Sequence, residues 1–217
     1  MNISTLEKVK ASALMRGVSC PERLLECFDA RVKKFVKSEE IIGYGDKPSI
    51  IIITRGNAIA VNEDWFGNRN IISKLGESEI FGAAFVFSES EVSARLVATE
   101  NGEAVILGGN KLHRACAKGC VDHTAFIYNA LKIVACSCVG FLEKVEHLSR
   151  RSMREKILSF LSTQSIKNGS DSFAVPYSRQ ELADYLAVDR CALSSELGRM
   201  RDEGLIRFRK SQFEILK

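Results

Sequence analysis

The sequence contains one apolar heptad repeat that is long enough to constrain everything around it. Between residues 127 and 148, apolar side chains recur at spacings of 4, 3, 4, 3, 4 and 3. A strict period of this kind predicts one long helix whose narrow seam faces a second helix, rather than a wider stripe packed only on its own domain. The predicted dimerisation helix spans residues 122–148, and its seam consists of Ile127, Leu131, Val134, Cys138, Phe141, Val145 and Leu148.

The residues on the two sides of this helix follow different patterns. A short helical stretch, Leu6–Cys27, is interrupted at Cys20-Pro21. From Phe28 to Leu107, short apolar runs alternate with glycine-bearing turns and show no helical period, which predicts an all-β, jelly-roll-like roll or barrel. We therefore expect an α+β chain in three parts: a β domain (1–121), the long helix (122–148) and a C-terminal domain (149–217).

Composition excludes several classes of protein. Hydrophobic residues make up 46% of the chain and charged residues 27%, which is typical of a globular protein and excludes disorder. No run of 18 or more apolar residues occurs, so we expect no transmembrane helix and no membrane partner. Residues 1–10 carry no apolar core of a signal peptide. Seven cysteines without secretory features indicate thiols in a reducing cytoplasm.

The net charge of +4 lies entirely in the last third of the chain. Residues 149–217 contain 13 Lys and Arg against 9 Asp and Glu, whereas the remaining 18 basic and 18 acidic residues balance within residues 1–148. A neutral domain joined to a basic one favours a polyanionic partner for the basic part.

The C-terminal domain carries the most specific pattern. Ser152 with Glu155, and Ser178 with Glu181, form two capping boxes, each of which starts a helix. After the second of these helices, the short connection 187–189 ends at Asp189, which is a good N-cap for a further helix. Two short strands, Leu205–Arg209 and Gln212–Leu216, follow. Together these elements predict a winged helix-turn-helix, whose second helix enters the DNA major groove.

Cations gather on one rim of this predicted motif, which a helical hairpin used only for packing would not need. Arg190 lies in the first turn of the recognition helix, where its planar guanidinium can bind guanine O6 and N7. Flanking side chains are suited to phosphate contacts. The predicted DNA-binding residues are Ser178, Arg179, Gln180, Arg190, Cys191, Ser194, Ser195 and Lys210.

At this point the chain resembles the Crp/Fnr transcription regulators. The run Ser178–Met200 and the following Arg201–Ile206 are similar to the family's DNA-binding domain. The segment Lys74–Gly82, which reads KLGESEIFG, resembles its β-roll effector domain, and the heptad seam lies where the family has its dimerisation helix. The resemblance extends from about residue 33 to residue 213 and implies a double-stranded β-helix followed by the long helix and the winged helix.

The departures from the family pattern concern the effector and the operator. Members that bind cyclic AMP offer a Glu to the ribose and an Arg-Ser pair to the phosphate, where this chain has Ala83-Ala84 and Val92-Ser93. An unpaired buried phosphate costs several kcal/mol, so we expect an effector other than cyclic AMP. In the recognition helix, Cys191 lies where family members often have Glu or Ser. Ser195 lies where they often have a second Arg. The resemblance places the effector pocket at Phe81, Gly82, Ala83, Ala84, Val92 and Ser93.

The cysteines do not follow the oxygen-sensing branch of the family, because only Cys20 and Cys27 lie near the N-terminus. A second group, Cys116, Cys120 and His123, has helical spacings that suit a metal or redox site. Buried packing is the alternative interpretation for these three residues.

These observations predict a homodimeric, sequence-specific transcription regulator, with no cofactor and no enzymatic activity. Its expected partners are palindromic double-stranded DNA, a second copy, RNA polymerase and an unidentified small-molecule effector. Two alternatives remain: a metal- or redox-sensing regulator that uses Cys116, Cys120 and His123, and a ligand-binding regulatory module without a DNA function.

Overall fold

The computed structural model of the protein describes residues 1–63, 65–66, 69–112 and 120–216. The chain forms two compact units. The first consists of Met1–Asp64 and Ile72–Cys138, and the second consists of Trp65–Ile71 and Val139–Lys217. Cys116 and His113 lie outside the described residues.

The N-terminal helices are shorter than the sequence predicts. Helix α1 (Ile3–Ala11) is followed by a 3-10 turn (Ala13–Met15) and helix α2 (Pro21–Cys27). The predicted break at Cys20-Pro21 is present, but the helix already ends at Ser12, whose hydroxyl donates to the Val9 carbonyl at 2.7 Å. A serine that bonds to its local backbone in this way competes with helix continuation.

Eight strands form two four-stranded sheets, with antiparallel pairing wherever the register is described. The first sheet has the order β1-β8-β3-β6 and contains β1 (Arg31–Phe35), β3 (Ser49–Arg55), β6 (Ile80–Phe81) and β8 (Gly102–Gly108). The second has the order β2-β7-β4-β5 and contains β2 (Glu40–Ile42), β4 (Ala58–Glu63), β5 (Arg69–Leu75) and β7 (Arg95–Ala98).

Strand β3 explains why the sequence has four consecutive isoleucines. Side chains of a strand alternate between its two faces. Ile50 and Ile52 pack in a cluster with residues of the short helices, whereas Ile51 and Ile53 pack in a second cluster between the sheets. All four are fully buried, and each such burial contributes about 1.5–3 kcal/mol. A strand covered on both faces needs an unbroken apolar run.

The all-β prediction for Phe28–Leu107 is wrong at one place, the segment after β6. Helix α3 (Ala83–Phe87) follows β6, and helix α4 (Gly109–Leu112) follows β8. Five residues of helix span little more than one turn, which is too short to produce a recognisable period. Gly82 precedes α3 with a φ of 91°, and a Cβ there would collide with the carbonyl oxygen of Ser49.

Helix α5 (Val121–Leu148) has almost the predicted bounds. Near its start, the Asp122 carboxylate accepts hydrogen bonds from the Ser19 and Cys20 amides at 2.8 and 3.0 Å. Asn129 donates to the carbonyls of Leu14 at 3.0 Å and Arg16 at 2.6 Å. By length and composition alone, α5 could cross a membrane. The buried side chain of Asn129 is thus satisfied by the N-terminal segment of the same unit.

The second unit contains the predicted elements in the predicted order. Both capping boxes are confirmed, because each serine side chain accepts from the backbone of the glutamate three residues later. The elements are α6 (Met153–Asn168), β9 (Ser172–Ala174), α7 (Arg179–Leu186), α8 (Arg190–Asp202), β10 (Ile206–Arg209) and β11 (Gln212–Ile215), with sheet order β10-β11-β9.

A hydrophobic cluster joins α6, α7, α8 and the strands β9, β10 and β11, with Ala183 of α7 and Leu197 of α8 fully buried in it. Arg154 of α6 adds a polar brace that the sequence did not reveal. Its guanidinium donates to Glu196 at 2.6 Å and, through both terminal nitrogens, to Glu203 at 2.8 Å. These bonds raise the pKa of Arg154 and hold α6 against α8.

Candidate functional site

Helix α8 begins with a geometry that leaves its first turn open. The Asp189 carboxylate accepts from the Ala192 amide at 2.8 Å, which satisfies one of the free N–H groups at the helix start. Arg190 is the first helical residue and is exposed. Its side chain therefore projects from the N-terminal turn of α8, where a recognition helix contacts base edges.

One face of α8 is exposed and the opposite face is core. Leu193, Leu197 and Met200 are fully buried. The exposed face carries four of the predicted DNA-binding residues in its first two turns, and the Ser194 hydroxyl donates to the Arg190 carbonyl at 3.0 Å. The four are Arg190, Cys191, Ser194 and Ser195.

Two further predicted DNA-binding residues, Ser178 and Gln180, lie at the start of α7. Ser178 is the N-cap, and its hydroxyl accepts from the Glu181 amide at 3.2 Å. Gln180 is exposed and donates to Asp184 at 2.7 Å. Both polar groups thus have local partners that hold them at the exposed N-terminal end of the helix.

Arg179 is not the freely exposed cation that the sequence suggests. Its guanidinium lies 5.1 Å from the ring centre of Phe208 and 5.6 Å from that of Phe213. These two rings stack on each other across the wing strands. Burial lowers the pKa of Arg179 below its ordinary value. Cation–π packing of this kind ties the start of α7 to the wing.

The wing presents the remaining cations. Lys210 lies at the turn between β10 and β11 with a φ of 55° and is exposed. Arg209 is exposed beside it, and Arg207 lies 3.7 Å from Glu214. Arg201 was not among the predicted DNA-binding residues. It lies three turns after Arg190 on the same exposed side of α8, and its guanidinium donates to Asp202 at 2.9 Å. The spacing of eleven residues between Arg190 and Arg201, three helical turns, is the sequence pattern that places both on one face of the helix.

The connection between the two helices is strained at one residue. Ala187 ends α7 with φ 51° and ψ 56°, in the left-handed region. Glycine adopts this conformation without cost, whereas a residue with a Cβ does not. The chain nevertheless has Ala at a position where the turn commonly has Gly.

The predicted effector-pocket residues differ in their packing environments. Ala83 is buried in the cluster beneath the short helices, and Val92 is buried in the cluster between the sheets. Phe81 packs against this second cluster and lies 5.8 Å from the ring of Phe85. Ala84 and Ser93 are exposed. A separate cavity of about 330 Å³ is lined by Phe28, Arg31, Lys47, Pro48 and Gly109, among others, and by none of the predicted pocket residues.

The candidate metal ligands are only partly described, because Cys116 lies outside the described residues. Cys120 is half-buried, and His123 is 8% exposed with its ring edge against Phe28. Among the described residues, no hydrogen-bond partner of the His123 Nδ1 atom is present. Within the described part of the chain, no group of three metal-ligating side chains comes together.

The predicted seam of α5 is largely open to solvent. Leu131 is 63% exposed and Val145 is 59% exposed, and Cys138 lies on the same line halfway between them. Ile127 and Phe141 are also exposed. Val134 differs, because it packs partly on the core of the first unit.

Comparison with known proteins supports both domains. A cyclic nucleotide-binding domain model matches residues 32–118, and a Crp-like helix-turn-helix domain model matches residues 155–217. No curated protein sequence matches the chain.

Solved structures share the whole architecture at low sequence identity. CLP, a c-di-GMP-responsive global regulator of Xanthomonas campestris, has a TM-score of 0.72 at 17% identity, with 91% of this chain and 98% of CLP covered. A CooA mutant from Carboxydothermus hydrogenoformans has a TM-score of 0.71 at 15% identity, with 89% of this chain and 86% of the CooA chain covered. A CRP-family transcriptional regulator of Thermus thermophilus has a TM-score of 0.58 at 18% identity, with 85% of this chain and 92% of that regulator covered.

The two family models match in the order that the structure shows, with the sheets of the effector domain before α5 and the helix-turn-helix after it. The exposed recognition-helix face and the basic wing supply the surface that DNA binding requires. The chain belongs to the Crp/Fnr family of transcription regulators.

Proposed function

We propose that the protein is a homodimer that binds palindromic DNA and responds to an effector other than cyclic AMP. The observation that carries this proposal is the exposed face of α8, where Arg190 leads a row of small polar side chains between the capped start of α7 and the basic wing. Localisation in the cytoplasm follows from the DNA target, and RNA polymerase is the expected partner at the promoter.

Homodimer formation is supported by the open seam of α5. Monomeric proteins seldom expose a contiguous apolar stripe, and an exposed one marks an interaction surface. Leu131, Cys138 and Val145 are seven residues apart and all exposed, which is the geometry of a two-helix contact. A symmetric pair would bury the same residues of both copies and give two recognition helices related by a two-fold axis.

Base reading and phosphate binding are assigned to different side chains. The guanidinium of Arg190 has no hydrogen-bond or ion-pair partner among the described residues, so it is free to bind a guanine edge. Lys210 and the N-terminal end of α7 are suited to phosphates, which position the protein without specifying sequence. Cys191, Ser194 and Ser195 are the further candidates for base contacts.

An effector other than cyclic AMP is supported by the side chains at the expected pocket. Ala83 and Val92 carry no charge, and both are buried in apolar clusters. A cyclic phosphate at this position would lack the cation that offsets its desolvation.

The dimer can be tested by oxidation of the seam. Diamide removes two electrons and two protons from a pair of thiols, so two Cys138 side chains that meet across the seam should form a disulfide. We expect a covalent dimer on a non-reducing gel that Cys138→Ser abolishes. Cys136 is exposed on nearly the opposite side of the helix, so Cys136→Ser should leave the cross-link unchanged. Sedimentation of the reduced protein as a monomer at micromolar concentration would contradict the proposal.

The unpartnered Nδ1 of buried His123 favours a second candidate function, a metal- or redox-sensing regulator that uses Cys116, Cys120 and His123. Elemental analysis after anaerobic purification would then give zinc or iron at about one per chain. Metal-free protein with unchanged folding would leave half-buried Cys120 and buried His123 as packing residues.

A further inference from the structure

The second unit contains a buried lysine. Lys144 of α5 is 7% exposed. Its ammonium donates to the Asn70 side-chain oxygen at 2.8 Å and to the Ile71 carbonyl. The same nitrogen lies 4.7 Å from the ring centre of Tyr185. One side chain thus joins three elements: strand β5, helix α5 and helix α7 of the helix-turn-helix.

Both ends of this connection are held firmly. Asn70 and Ile71 belong to β5, which continues without interruption to Leu75. Tyr185 stacks on Tyr177 at 5.0 Å with 26° between the rings, and the ring of Phe160 lies 5.6 Å away. A shift of β5 would move Lys144 and, through it, Tyr185. Because the aromatic stack leaves the Tyr185 ring little freedom to move alone, the shift would be passed on to α7.

The contact provides acceptors for two of the three N–H groups of the Lys144 ammonium, but no opposite charge. Among the described residues, no carboxylate lies within ion-pair distance of the ammonium. Its neighbour Glu143 is paired with Lys167. Burial lowers the pKa of Lys144 from 10.5 to about 8. A buried charge without a counter-ion is costly, and carbonyl and aromatic partners offset only part of that cost.

We propose that Lys144 is a positioning residue that couples strand β5 to helix α7, and that the cost of burying its ammonium makes this connection easy to release. Release returns the ammonium to water, so the closed and open arrangements differ little in free energy, as a regulatory switch requires. The coupling role rests on the proposed function, in which a signal from the effector domain reaches the DNA-binding helices.

Hydrogen exchange on the full-length protein tests the coupling. Lys144→Met keeps the apolar stem and removes the ammonium. It should speed exchange about five- to tenfold both in peptides of residues 65–72 and in peptides of α7, because the ammonium no longer holds either segment. Tyr185→Leu should also speed exchange at residues 65–72, but should add nothing in the Lys144→Met background.

Lys132→Met is the matched control. Lys132 is an exposed lysine of the same helix whose ammonium lies 4.5 Å from the ring centre of Tyr128. Its removal should leave exchange at residues 65–72 and in α7 unchanged. If Lys144→Met alters only α5, or if the effects of Lys144→Met and Tyr185→Leu on residues 65–72 simply add, Lys144 does not couple the two elements.

A pH profile separates coupling from general packing. The pKa of Lys144 is lower when the ammonium is buried in the closed arrangement than when it is released to water. The open arrangement therefore binds more protons, and raising the pH favours the closed one. Exchange at residues 65–72, corrected for its intrinsic base dependence, should fall about tenfold from pH 7 to pH 9 in the wild type. In Lys144→Met it should stay flat, and an equal fall in that variant would overturn the proposal.

The other titratable groups near Lys144 keep their charge in this range. Burial raises the pKa of Tyr185 and lowers that of His147, so both side chains are neutral, and the carboxylate of Glu143 is paired with Lys167. Binding of an arbitrary 30-bp duplex at low salt is measured separately. Loss of exchange coupling with intact DNA binding would refute the role of Lys144 alone, and intact coupling without DNA binding would refute the proposed function.

Discussion

The winged helix and the β-roll of this protein differ in how their working residues are arranged. In the winged helix, the candidate DNA contacts lie within a short stretch, Ser178–Lys210, and project from capped helix starts and a wing turn. In the roll, the residues expected around an effector differ in environment: Ala83 and Val92 are buried in two different hydrophobic clusters, whereas Ala84 and Ser93 are exposed.

The difference shows what each kind of recognition depends on. A surface that binds DNA is built from local signals, such as caps, helical faces and cations, and these can be read from one segment. A ligand site depends on the space that distant segments leave between them. Family resemblance therefore transfers the DNA-binding geometry to this chain more directly than it transfers the effector.

Breaking the dimer seam should have the largest effect. Leu131→Glu with Phe141→Glu places like charges across the expected contact and should give monomers. DNA affinity should fall about 10²–10⁴-fold, because two linked half-sites lose their shared effective concentration. Sedimentation and fluorescence anisotropy would measure both effects.

Val139→Glu is the control for this experiment. Val139 is 57% exposed on α5 but lies away from the seam. It should leave both the mass and the affinity unchanged. A double variant that remains dimeric would show that another surface joins the copies.

Two cations on the winged helix should affect binding in different ways. Arg190→Ala should cost about 1–3 kcal/mol per half-site and relax the preference at one base pair. Lys210→Ala should weaken binding to all sequences alike and make the salt dependence shallower by about one for each phosphate that is no longer bound. Arg179 is less suitable than Lys210 for this comparison, because its removal also disrupts packing on the wing. If Arg190→Ala leaves base preferences intact, Arg190 binds phosphate.

The strained turn offers a smaller effect within the same domain. Ala187→Gly should stabilise α7 and α8 by about 1 kcal/mol, because Gly adopts the left-handed conformation without strain. The free energy of opening from hydrogen exchange of α8 amides would measure it. Ala192→Gly, inside α8, should instead lower that free energy by about 1 kcal/mol. If Ala187→Gly lowers the free energy of opening, the left-handed conformation of Ala187 does not strain the turn.

Cyclic AMP should have no effect on the roll. Calorimetric titration is expected to give no binding, because Ala83 and Val92 offer the phosphate no cation. A dissociation constant below about 10 μM, equivalent to about −7 kcal/mol, would contradict the proposed effector class.

The sequence predicted those elements whose signals are local. The heptad repeat predicted α5 to within one residue at its start, and both capping boxes form as the spacing of Ser and Glu indicated. It could not reveal α3, which is too short to show a period.

Contacts between distant segments were also beyond the sequence. No sequence pattern distinguishes Lys144 from the other charged residues of α5, yet its partners are Asn70 and Tyr185. Arg179 looked exposed until folding placed it over Phe208 and Phe213. In each case the deciding neighbour lies on another element, and no local pattern encodes it.

Selection of binding sites from random duplex DNA by the purified protein, under reducing conditions, tests the central claim most directly. A two-fold dimer with one recognition helix per copy should enrich a palindrome whose half-sites lie about 10 bp apart, centre to centre. Arg190→Ala should then lose the preference for one guanine in each half-site. Enrichment of a single unrepeated half-site, or of no sequence at all, would contradict the account.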